Sequence, residues 1–141
     1  MTSNELITAY EDTHYGVDAG AESFTFRVGE RAPRLADFLS QYPGQGAVFI
    51  TASNPHSQVA SDQENRRANA RLRAELDALG LVVMKGHGTS PDGAWREESQ
   101  LAFPINRGTA KMLCGTYGQN AVVYIEANGV PELLWHPACF E

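Results

Sequence analysis

Residues 51–57, Thr51-Ala52-Ser53-Asn54-Pro55-His56-Ser57, place five hydrogen-bonding side chains in seven positions. They follow an apolar run and shortly precede a stretch that reads as a well-capped helix. In an open α/β sheet, ligands settle beyond the carboxyl ends of strands. A helix start adds free N–H groups and partial positive charge, which favour an anion. Asn54 and Ser57 are therefore candidate ligand contacts, and His56 a candidate general base, since imidazole titrates near neutral pH. The plainer account is a turn shaped by Asn-Pro, with Ser57 bonded to local backbone.

A second group lies at 86–99, a Gly-rich stretch running into Trp95-Arg96-Glu97-Glu98-Ser99. It reads as a long loop delivering an aromatic ring and two carboxylates to a strand entrance. Neighbouring carboxylates on a strand point to opposite faces, so only one of Glu97 and Glu98 can line a site unless the strand bulges. The inward one has the chemistry of a general acid or base; surface ion pairing is the alternative. Trp95 can stack on a ligand or plug a core edge.

Helix geometry adds Asn65 and Asn69. The stripe Ala68, Leu72, Leu76, Leu79, projected backward, lands on these two amides one turn apart. They either bond the loop at Asn54 or face a polar cavity at the strand ends. Arg66 near the helix start can clamp an anion, or simply pair on a solvated face beside Arg67, Arg71 and Arg73. Gln119 and Asn120, in a helix-to-strand turn after Gly118, can reach the same cavity.

The positioning elements follow from periodicity and punctuation. Asn4–Asp12 reads as a short helix with Leu6, Ile7 and Tyr10 on one side. Ser23–Val28 alternates as a half-buried strand, and Pro33 opens a helix ended by Pro43-Gly44. Ala47–Ala52 is a buried strand. Ser61-Asp62-Gln63-Glu64 matches a capping box for a helix over about residues 62–79, with Gly80 as its C-terminal stop. Leu81–Met84 and Glu98–Ile105 read as strands. Asn106 caps a helix striped by Ala110, Leu113, Cys114 and Tyr117. Ala121–Ile125 and Glu132–Trp135 flank Asn128-Gly129 as a C-terminal β-hairpin. The expected fold is one α/β domain over 1–141, a mixed sheet of about five to six strands covered by helices.

Composition narrows the function classes. The 141 residues carry 11 Lys and Arg against 17 Asp and Glu, a net charge of −6, which argues against nucleic acid and against a polybasic membrane contact. No apolar run reaches the ~20 residues of a membrane span, and the opening residues lack the basic and apolar regions of a secretory signal. Two cysteines make no disulfide framework, so a reducing cytoplasm is the expected setting. The four histidines show no metal-ligand spacing, and no cofactor motif is present; neither metal nor cofactor is expected.

Ala9-Tyr10, Ile50-Thr51-Ala52-Ser53-Asn54-Pro55-His56-Ser57, Glu64-Asn65, Trp95-Arg96-Glu97-Glu98-Ser99 and Gly118-Gln119-Asn120-Ala121 together resemble a family of small bacterial proteins catalogued as a domain of unknown function. The resemblance runs from about Ala9 to Leu134. It implies one intact domain and brings no reaction with it.

The functional expectation is a pocket for a small polar or anionic, nucleotide-like ligand, built from Asn54, His56, Ser57, Asn65, Arg66, Asn69, Trp95, Gln119, Asn120 and one of Glu97 and Glu98. An enzymatic version would be a hydrolase or group-transfer enzyme using His56 or the inward glutamate. The alternative is a non-catalytic module, a regulator, inhibitor or immunity-type partner, whose acidity speeds encounter with a basic protein.

Overall fold

A computed structural model describes residues 3–136; Cys139 lies outside them. The elements are α1 (Ser3–Asp12), β1 (His14–Ala19), β2 (Glu22–Phe26), α2 (Pro33–Leu39), β3 (Ala47–Ile50), a 3-10 turn (Pro55–Ser57), α3 (Asp62–Ala78), β4 (Val82–Thr89), β5 (Arg96–Phe103), α4 (Arg107–Thr116), β6 (Ala121–Ile125) and β7 (Pro131–Trp135). The strands form a single sheet of seven in the order β2-β1-β4-β5-β3-β6-β7.

Every hydrogen-bonded pair is antiparallel, which corrects the expectation of a mixed sheet of five to six strands. The alternation that suggested parallel pairing is real. Helix α3 joins β3 to β4, which run the same way, but β5 lies between them. Helix α4 likewise joins β5 to β6 around β3. Each crossover is split by an inserted strand, so the parallel neighbours never touch.

The seventh strand is β1, where Tyr15, Gly16 and Val17 are buried in succession. A short run holding Gly and Asp lacks the period-two signal of a half-buried strand. Strand β4 also runs on through Gly86-His87-Gly88-Thr89, where a loop was expected. Of the two glycines, Gly86 is the one that close packing requires. A Cβ on Gly86 would come 2.5 Å from the Gly16 carbonyl and 2.7 Å from the Phe49 ring.

Two cores sit on opposite faces of the sheet. Val48, Ile50, Ala102 and Val122 pack against Leu72 and Leu76 of α3 and Leu113 and Cys114 of α4. Fully burying each leucine stabilises the fold by about 2 kcal/mol. Leu79, expected on this stripe, is 47% exposed because it is the C-cap. Tyr15, Phe24, Phe26, Phe49, Leu101 and Phe103 form the other core, against Leu35 and Phe38 of α2. Helix α3 starts at the anticipated capping box, the Ser61 hydroxyl accepting from the Glu64 N–H at 3.1 Å. Asn106 caps α4 through the Thr109 N–H at 2.8 Å. Among the described residues, no helix is long and apolar enough to cross a membrane.

Candidate functional site

The aromatic face of the sheet does not close at its far end. There the ends of β3 and β4 meet the starts of β1, β5 and β6, with α1 alongside, around a cavity of about 520 Å³. Helix α1 contributes Leu6, Ala9 and Tyr10 to its wall; Tyr15, Phe49 and Val123 come from the sheet. Trp95 and Val59, 43% and 94% exposed, stand at the mouth.

Alternation along β5 decides which carboxylate enters. Glu97 and Ser99 lie on the same face as Leu101 and Phe103 and line the cavity, whereas Glu98 is exposed. Across the sheet, Glu97 pairs with Gly88, and Gly88 pairs with Tyr15. Gly88 puts no side chain of its own between the carboxyl and the phenol in this row.

The turn after β3 holds Glu97 from the other side. Asn54 and His56 both take left-handed backbone conformations, with φ of 48° and 58°. For non-glycine residues each costs roughly 1 kcal/mol or more. The turn persists because its polar groups are paired. The Asn54 N–H donates to Asn65 Oδ1 at 2.9 Å, and the His56 N–H donates to the Gly118 carbonyl at 2.7 Å. Asn54 Oδ1 accepts from Asn65 Nδ2 at 2.9 Å and from the Ala60 N–H at 3.0 Å. Its Nδ2 is thereby turned to Glu97 Oε2 at 3.2 Å.

Burial dominates the titration of Glu97. It pushes the carboxyl up to about 7, against the smaller opposing pull of the Asn54 hydrogen bond. A carboxyl poised there exchanges its proton near neutral pH, as a general acid or base must. Burial, Tyr10 and the nearby Glu97 also raise the Tyr15 phenol, which stays protonated.

The expected site residues other than Ser57 divide into three groups. Asn54, Glu97, Trp95, Gln119 and Asn120 all line the cavity. Asn65 and Asn69 do not; they bind the turn from α3. Asn69 Oδ1 accepts from the Ala52 N–H, and its Nδ2 donates to Ser53 Oγ and the Asn65 carbonyl. The structure does not bring His56, Arg66 or Glu98 to the cavity. All three side chains are exposed, His56 with its ring beside Gly118. The left-handed turn swings His56 away from the strand end, and Arg66 follows Asn65 on the solvent side of α3. Ser57 lies in the 3-10 turn, and its side chain is outside those described.

Sequence reasoning missed the walls: Tyr15, Phe49, Ser99 and the contribution of α1. The pairing of Leu6 with Tyr10 on one side of α1 was the available signal, since both face the cavity.

An antiparallel sheet covered by helices, with a carboxyl-bearing cavity at one end, defines a small α/β domain with a candidate ligand site. Residues 50–122 match the family described as "Protein of unknown function (DUF3293)", and the chain belongs to that family. The matched span holds the Asn54 turn, Glu97 and the Gly118–Asn120 turn. No curated protein and no solved structure matches the chain.

Proposed function

We propose that the cavity binds a small organic molecule and that Glu97 holds or moves a proton on it. The observation that carries this reading is a partly buried carboxyl in an aromatic-walled cavity, one oxygen fixed by an oriented amide and the other without a partner among the described residues. A cavity of about 520 Å³ is in the range that small-molecule sites occupy. The charged residues of the described lining are Asp12 and Glu97, with no Lys, Arg or His. That balance supports a polar ligand without supporting an anionic one. Acid–base chemistry at Glu97 would serve either hydrolysis or group transfer.

The test is a thermal-shift screen of small neutral, cationic and anionic molecules, run in parallel on Gly88→Val. At 100 times its dissociation constant a ligand adds about 2.7 kcal/mol of stability. The valine adds a branched side chain to the cavity lining between Tyr15 and Glu97 in the strand row, so hits should lose their shift. Hits that shift the folded variant equally would place binding elsewhere and overturn the reading.

The interaction-module alternative has one observation of its own: the apolar surface of Val59 and Trp95 at the mouth. Concentration-dependent sedimentation abolished by Val59→Ser with Trp95→Ala would favour it.

A further inference from the structure

We propose that the ligand of this cavity is an organic cation, a primary ammonium or amidinium on a small body, whose N–H groups donate to Glu97. This deepens the small-ligand reading above and rests on it.

The first argument is the hydrogen-bonding capacity left over. Glu97 Oε2 is bonded by Asn54, and Oε1 has no partner among the described residues. Gln119 spends its Nε2 on the Ser53 and Tyr117 carbonyls, leaving its Oε1 as an acceptor. The Tyr15 hydroxyl donates to the Tyr10 carbonyl at 3.3 Å, with the Thr13 side chain against its oxygen. Thr51 Oγ1 is already used in both senses, donating to the Glu98 carbonyl and accepting from the Ser53 N–H. The strongest unspent group is therefore an acceptor, the carboxyl oxygen Glu97 Oε1, and a donor-bearing ligand satisfies it.

The second argument is charge. Asp12 at the rim has a counterion in Arg27 at 3.8 Å, but among the described residues Glu97 has none. Once Glu97 is ionised, an anionic ligand meets a like charge at the cavity floor. A neutral one then leaves the carboxylate desolvated without compensation, whereas a cation supplies both a counterion and charge-assisted hydrogen bonds.

The third argument is the wall. Tyr10, Tyr15, Phe49 and Trp95 line the cavity, and the electron-rich faces of aromatic rings attract cations. A ring-bearing cation would gain twice, its body packing on these side chains while its nitrogen reaches Glu97.

The experiment is calorimetry with four probes of similar size, benzamidine, benzylamine, benzyl alcohol and benzoate, on the wild type and Glu97→Gln at pH 8. Benzamidine and benzylamine are expected to bind, benzoate not to, and Glu97→Gln to weaken the two cations about ten- to hundredfold. In the wild type the cations should also release about one proton at pH 6, measured in buffers of different ionisation enthalpy. That readout needs no variant, so it stands if Glu97→Gln fails to fold. Benzoate or benzyl alcohol binding as tightly as the cations, cation binding indifferent to Glu97→Gln, or silence of both cations would overturn the inference. If benzyl alcohol binds best and Gly88→Val abolishes its binding, the cation inference falls while the small-ligand reading survives. If every hit of the wider screen is indifferent to Gly88→Val, both fall.

Discussion

Asn54 donates to Glu97 at 3.2 Å with its amide orientation already decided, because Asn65 and the Ala60 N–H both occupy its carbonyl oxygen. A line of polar contacts runs from Asn69 in the core, through Asn65, to Asn54 and the cavity floor. Helix α3 thus acts on the site without touching it. Its two buried-side amides hold the turn, and the turn aims the one side chain that fixes Glu97.

That arrangement sets the outcome for Asn65→Leu. The substitution removes the acceptor of the Asn54 N–H and one of the two donors to Asn54 Oδ1. A left-handed residue then loses the bond that justifies its conformation. The variant is expected to lose about 1–3 kcal/mol of stability, read as a lower urea midpoint with unchanged slope. An unchanged midpoint would mean that the network does not hold the turn.

Ser61→Ala tests the cap at the start of the same helix. The Ser61 hydroxyl accepts from the Glu64 N–H, and the Glu64 carboxylate reaches back to the Ser61 N–H at 3.5 Å. Loss of the cap should cost roughly 0.5–2 kcal/mol. Because Ser61 and Asn65 both support the turn-to-helix junction, the double variant should depart from additivity.

Legibility differed between the helices and the sheet for a physical reason. Caps and stripes are local, so the capping box at Ser61, the Asn106 cap and the Leu72–Leu76 face were all readable from short stretches. The split crossovers were not, since nothing local in β3 or β4 reports that β5 will lie between them. Within the candidate site, Asn54, Glu97 and Gln119 announced themselves by polarity near strand ends. Alternation further required that Glu97 and Glu98 part company, though not which would enter. His56 misled because its backbone conformation, invisible in sequence, turns it outward. Tyr15 and Phe49 were silent because a cavity wall and a packed core use the same residue types.

Two glycines of β4 should respond oppositely to alanine. At Gly86 the new methyl would stand 2.5 Å from the Gly16 carbonyl, and a backbone atom cannot step aside. Gly86→Ala should therefore be destabilised by about 1–3 kcal/mol, as overpacked sites are. At Gly88 the nearest atoms, on Thr13, Trp95 and Tyr15, lie 3.5–3.7 Å away, ordinary contact distances. Gly88→Ala should match or exceed wild-type stability. Thermal midpoints measured side by side decide it; equal behaviour of the two variants would contradict the packing described for β1 against β4.

Glu97 makes stability depend on pH in a direction opposite to that of a salt-bridged carboxylate. Its ordinary value of 4.5 is pushed up to about 7 in the folded chain, with burial as the leading cause. Between those values the folded state binds the proton more tightly than the unfolded state, so stability falls as pH rises. Below about 4.5 the carboxyl is protonated in both states and contributes no penalty. Above about 7 the full penalty is present, on the order of 3 kcal/mol for a shift of this size. Glu97→Gln keeps the shape and removes the titration. It should therefore match the wild type near pH 4.5 and be the more stable protein at pH 8. Urea midpoints at half-unit steps across that window trace the difference, which should open between pH 5 and 7.5 and then level off. A difference that stays flat would mean that Glu97 is solvated and that the cavity floor carries no poised proton.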